Sequence, residues 1–162
     1  MSVEKDKDRE SDLPSDLPGG GHRPEEQQSQ IRDLIEENLA GKKVDIVGTV
    51  DQLLGIAVQE GELRGDLASD RCVRFRSSSN HPLFEVEAEH AKGKLQAMCA
   101  RLATMCNQQH QDVNLYGGEA YLMYNGKRFH LRFMNTPGEQ WFSLTTSTHP
   151  ESTSLSFLVS NP

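Results

Sequence analysis

The chain has 162 residues, enough for one ordinary domain with its own core, so neither disulfides nor a structural metal is required to hold it. Its net charge of −7 is unevenly spread: residues 1–41 carry five Lys or Arg against eleven Asp or Glu, whereas 71–133 carry nine basic against five acidic side chains. No apolar run approaches the roughly 18 residues of a spanning helix, and the charged stretch Met1–Glu10 lacks the apolar segment of a secretory signal, so a cytoplasmic protein without membrane contact is expected.

Residues 1–23 repeat Ser-Asp-Leu-Pro at 11–14 and 15–18 and then run into Gly19, Gly20 and Gly21. Proline blocks helix, glycine raises the entropy cost of order, and two leucines cannot make a core, so a disordered acidic tail is expected. The doubled motif reads as a linker, or as a docking peptide. Pro24 suits the first turn of a helix whose dipole Glu25 and Glu26 complement. Ile31, Leu34, Ile35 and Leu39 form its apolar stripe, with Gly41 expected to close it in the left-handed conformation and Lys42 and Lys43 beyond. A second helix is signalled by Thr49 and Gln52 at capping-box spacing, then Val50, Leu53, Leu54, Ala57 and Val58, and Gly61 should end it. Residues 44–47 are too few to assign.

A polar connection follows, with Arg64-Gly65-Asp66 read as loop. Cys72–Arg76 and Leu83–Glu87 alternate with period two around a turn-rich 77–82, which predicts a hairpin. Pairing Arg76 with Leu83 sets Phe75 against Phe84 and Val73 against Val86 on one side, and Arg74 against Glu85 on the other. From about Ala88 to Cys106 the period changes to 3.6, with Ala91, Leu95, Met98, Leu102 and Met105 on one face of the longest helix.

Asn125-Gly126 between two alternating runs predicts a type I′ hairpin that pairs Leu122 with Phe129 and Ala120 with Leu131. Thr136-Pro137-Gly138 predicts a type II turn into a last strand, 140–146, with Phe142 facing Leu131 and Leu144 facing Phe129. The expected fold class is α+β: an antiparallel sheet, made of a two-stranded hairpin plus a three-stranded meander, packed on one face by a long helix, with two N-terminal helices. One domain should span 24–147, followed by a loose Ser- and Thr-rich tail over 148–162 with a short strand at 155–159.

The same register gathers polar side chains on the face opposite the core, in rows Glu119/Arg132/Trp141, Tyr121/His130/Ser143 and Met123/Arg128/Thr145. Tyr121, Arg128, His130, Arg132 and Trp141 are therefore the candidate binding residues, since rings stack and guanidinium groups hold carboxylate or phosphate. Two bland alternatives stand beside this: a face simply left in water, or one covered by the first two helices. Glu119, His130 and Ser143 supply the residue types of a nucleophilic triad, but a flat strand gives neither an exposed nucleophile turn nor an oxyanion hole. Met98, Cys99, Met105 and Cys106 put four sulfurs near one side of the long helix, which suits a soft metal or, equally, a core. Three cysteines without zinc or disulfide spacing point to reduced thiols, and no catalytic residue, metal or cofactor is assigned. The expected function is a non-enzymatic binding module or adaptor that engages another protein through the sheet face, the acidic tail or both. The alternatives are a weak single-stranded nucleic-acid-binding domain and, third, a small hydrolase or redox protein. Oligomeric state is not legible.

Overall fold

The computed structural model describes residues 24–41, 43–77 and 82–147. The expected disordered tail over 1–23, Lys42, most of the 77–82 turn, and the segment 148–162 with its short strand lie outside them.

Helix α1 (Pro24–Ala40) buries Ile35 and Leu39 completely and leaves Leu34 at 44% exposure, so its buried stripe is narrower than expected. Gly41 ends it but is not itself left-handed, its N–H reaching the Glu37 carbonyl at 3.1 Å. Helix α2 (Ile46–Glu60) begins a turn before the expected capping box. Asp45 is the cap: its carboxylate accepts from Gly48 N at 2.8 Å. Thr49 lies buried inside the helix instead, its hydroxyl donating to the Asp45 carbonyl at 2.7 Å. Gly61 closes α2 as expected, with φ of 81° and an N–H bond to Ala57.

Strand β1 (Glu62–Ser69) occupies what the sequence pattern suggested was a polar connection, and Arg64-Gly65-Asp66 is strand, not loop. The remaining elements are β2 (Cys72–Arg76), β3 (Pro82–Glu87), α3 (Ala91–Gln108), β4 (Gly117–Tyr124), β5 (Lys127–Thr136) and β6 (Glu139–Thr146). They form one six-stranded sheet in the order β3-β2-β1-β6-β5-β4, every described pair antiparallel. The fold is thus α+β as expected, but the hairpin and the meander are fused: β1 turns the hairpin into a second meander and joins the first along β6. The reason β1 escaped the pattern is Gly65. It holds an inward position between Leu63 and Leu67, and the Phe142 ring takes the space its side chain would fill, within 2.4 Å of an ideal Cβ.

Within β2–β3 the pairs Val73/Val86, Arg74/Glu85 and Phe75/Phe84 are as expected, while an irregularity sets Arg76 against Pro82 in place of Leu83. The β4–β5 hairpin pairs Leu122 with Phe129 and Ala120 with Leu131, again as expected. Between β5 and β6 the register differs by two residues: Leu144 faces Leu131 and Phe142 faces Phe133. The turn is tighter than the sequence suggested, closing on Thr136 and Glu139 with only Pro137 and Gly138 between. An even shift leaves each side chain on its expected face.

Leu63, Val73, Phe75, Val86, Leu122, Phe129, Leu131, Phe142 and Leu144 from the sheet join the buried residues of all three helices in a single core. The helices therefore cover one face of the sheet. At the free edge, β4 is closed by two glutamines that imitate a further strand. Gln109 accepts from Met123 N at 2.8 Å and donates to its carbonyl at 3.0 Å, and Gln111 makes the same two contacts with the Tyr121 backbone. Unpaired edge groups invite pairing with other chains, and these amides occupy them.

Candidate functional site

The other face, left uncovered by the described residues, is ordered by the cross-strand pairing. One row runs Glu85, Arg74, Asp66, Trp141, Met134; the next runs Arg76, Arg64, Ser143, Arg132, Glu119; the third runs Glu62, Thr145, His130, Tyr121. Arg128 and Met123 pair beyond them. All five expected binding residues lie on this face, but not all where the sequence placed them. Arg132 was expected beside Trp141 and is instead beside Ser143, because of the two-residue shift of β6.

Two neighbourhoods result. At the β4–β5 end the Tyr121 and His130 rings lie 5.2 Å apart, and the Arg128 guanidinium sits 4.0 Å from the Tyr121 ring centre. Glu119 reaches Arg132 at 3.1 Å and His130 at 3.4 Å. At the β1–β2 end Asp66 gathers three arginines. Arg74 binds it through two nitrogens at 3.0 and 3.2 Å, Arg76 makes a third contact, and Arg64 stands off at 3.9 Å. Arg74 faces Glu85 across β2–β3 as expected, but its guanidinium bonds to Asp66, because β1 lies on its other side. The Arg74 guanidinium is held further above its ordinary value by the hydrogen bond to Asp66 and by that carboxylate's charge.

Arg64 connects the two. Its guanidinium lies 5.1 Å from the Trp141 ring centre, and its Nε is buried without a hydrogen-bond partner. Trp141 also donates from its ring N–H to Glu139 at 2.8 Å. Between Arg64 and Arg132 lies a shallow hollow of about 510 Å³, floored by Ser143 and Thr145 and bordered by Tyr121, His130 and Glu62. Arg64 and Asp66 were missed as site residues because their strand was missed, and Arg76, on the expected strand β2, because its neighbours on β1 were not seen. The signal that could have found them is the alternation Leu63, Gly65, Leu67, with glycine counted as an inward residue.

The triad types do not converge into a catalytic row. Ser143 stands between Arg64 and Arg132, whereas His130 stands between Tyr121 and Thr145. The sulfur stripe is divided: Met98, Cys99 and Cys106 are fully buried beneath the sheet and Met105 is half-buried. Burial pushes the Cys99 thiol up to about 12 and that of Cys106 up to about 11, so neither is an available thiolate near neutrality. Cys72 is raised as well, first by burial and then by Glu85. Among the described residues no group of three or more His, Cys, Asp or Glu side chains is placed to hold a metal ion, and no helix is long and apolar enough to cross a membrane.

The site therefore belongs to a half-open antiparallel sheet whose uncovered face is rich in arginine and aromatic side chains. No family model matches the chain, and no curated protein is similar to it at a significant level.

Proposed function

We propose that this chain is a non-enzymatic binding module that recognises another protein through the uncovered face of its sheet. The observation that carries the reading is the division of labour across the sheet. One face is committed to a single core with all three helices, while the other presents Tyr121, Trp141 and five arginines on a rigid strand framework. Tyrosine, tryptophan and arginine are the side chains enriched at the energetic centres of protein interfaces, because they combine apolar area with a polar handle at low entropic cost.

Charge separates this reading from nucleic-acid binding. On the described part of the face Arg64, Arg74, Arg76, Arg128 and Arg132 are matched by Glu62, Asp66, Glu85, Glu87, Glu119 and Glu139. A polyanion needs a run of surplus cations; on this face the two signs are interleaved, and Arg74 and Arg76 already hold the half-buried Asp66. A mixed field of both signs suits a protein surface of complementary pattern.

The test is capture of interacting molecules from native extract by the full chain, with and without nuclease, repeated with Tyr121→Ala, Trp141→Ala, Arg132→Ala and, on α1, Glu36→Ala. A protein partner retained after nuclease, lost from the three face variants and kept by Glu36→Ala, is the expected result. A partner held equally by all four variants, or capture abolished by nuclease, would overturn the proposal.

A further inference from the structure

We infer that the hollow around Ser143 is a phosphate-binding subsite, and that its occupant is a phosphorylated serine or threonine side chain of the protein partner. The inference rests on the uncovered face being a protein-recognition surface, and it assigns the chemistry of what that surface reads.

The construction begins with the row Arg64, Ser143, Arg132 on three adjacent strands. Neighbouring strands lie about 4.8 Å apart, so the two arginine backbones are separated by roughly 10 Å with a small residue between them. Two long side chains can converge over that gap; a larger central residue would fill it. Two positions along β6, Thr145 points to the same side as Ser143, so two hydroxyls form the floor, and Tyr121 and His130 form a wall. Hydroxyl donors below, with the guanidinium groups of the two flanking arginines turned in from Trp141 and Glu119, would make the complement of an oxyanion.

Both arginines are available to an incoming ligand. Asp66 is held by Arg74 and Arg76 at closer range, leaving Arg64 3.9 Å away with its side chain 42% exposed. Arg132 pairs with Glu119 at 3.1 Å, but both side chains are about 60% exposed, at 59% and 61%, and a pair so wet is readily exchanged. The Arg64 guanidinium rests 5.1 Å from the Trp141 ring centre at the border of the hollow, so a ligand that draws it inward also changes that contact.

The choice of phosphate over carboxylate follows from the two carboxylates already at the margins, Glu62 and Glu119. A further single charge would merely compete with them. A phosphate monoester carries about −1.5 to −2 charge near neutrality and three acceptor oxygens, enough to engage both guanidinium groups and the floor at once. A phosphodiester backbone carries one charge per group and needs a run of cations, which this isolated, charge-balanced hollow lacks.

Trp141 is the single tryptophan of the chain and touches Arg64, so its fluorescence reports on the site. The full chain is titrated at constant ionic strength with a phosphoserine and phosphothreonine peptide library, with the same library unphosphorylated, and with inorganic phosphate. The phosphorylated library should change Trp141 emission at concentrations at least about tenfold below the other two probes. Arg64→Ala and Arg132→Ala should each weaken this response about tenfold or more, and Ser143→Glu should remove it, with thermal melting confirming that each variant folds. Arg64→Lys serves where Arg64→Ala fails to fold, and should still weaken the response because lysine cannot bind in two-pronged fashion. Equal responses to phosphorylated and unphosphorylated libraries would overturn the subsite, while loss of the captured partner from the face variants would leave the protein-binding reading standing. Inorganic phosphate binding as tightly as the peptides would overturn the assignment to a protein partner.

Discussion

Replacing Gly65 by alanine is the sharpest test of the strand that organises the sheet. An ideal Cβ at this position would lie 2.4 Å from Cε1 and 2.6 Å from Cζ of Phe142. Carbon atoms in contact sit about 3.5–4.0 Å apart, so the methyl group demands a displacement of about 1 Å. Phe142 is fully buried and packs on the Phe75 ring at 6.5 Å between centroids, so it cannot swing into solvent. The chain must either force the ring off its rotamer or open the β1–β6 pairing, and overpacking of this kind costs about 1–3 kcal/mol. Gly93 on α3 and Gly55 on α2 provide the control, since a Cβ there meets nothing within 4 Å. Alanine at either helical site should stabilise by about 0.5–1 kcal/mol through helix propensity and the unfolded-state entropy. Urea denaturation of the three variants gives the comparison directly. A Gly65→Ala variant as stable as the parent would falsify the placement of β1 beneath Phe142.

Other consequences are independent of this one. Phe129→Ala should cost about 3–5 kcal/mol in a denaturant melt and Arg128→Ala no more than about 1, since the first empties the core and the second loses only its contact with Tyr121; similar losses would overturn the parity of the hairpin. Replacing Gln109 and Gln111 together by alanine should expose the backbone of Met123 and Tyr121 and promote self-association, measured by sedimentation; a variant that stays monodisperse to the same concentration as the parent would contradict the edge-closing role. Cys99 and Cys106 have folded-state values raised from 9.0, so the folded chain retains protons that the unfolded chain releases. Their contribution to stability is complete below about pH 9 and is lost as pH rises towards the folded values, by roughly 1.4 kcal/mol per thiol per pH unit at most. The Cys99→Ala, Cys106→Ala double variant should flatten this decline, and an unchanged slope would refute the linkage.

What the sequence revealed depended on how far each signal was local. The Asn125-Gly126 turn fixes the register of its own hairpin because only two residues intervene, and the alternation on either side then decides every face. The turn at Pro137 and Gly138 is equally short, yet its length was misjudged by two residues, which preserved the faces and displaced Trp141 from Arg132. Strand β1 was lost for a different reason. Its central inward residue is a glycine whose space is filled from another strand by Phe142, 77 positions along the chain (142 − 65), and no local pattern records that. The candidate site suffered accordingly. The side of the sheet that Tyr121, Arg128, His130, Arg132 and Trp141 occupy was legible, whereas the Asp66 cluster and the place of Arg64, on which the hollow depends, became visible only once β1 stood beside β2 and β6.

Backbone amide shifts of the isotope-labelled chain, recorded with and without the captured protein partner, test the central claim most directly. Perturbations should concentrate on Arg64, Tyr121, Arg128, His130, Arg132, Trp141 and Ser143, with the exposed helical residues Leu34 and Val47 unchanged. Shifts confined to Leu34, Val47 and their neighbours on α1 and α2, with the uncovered face of the sheet silent, would contradict the account.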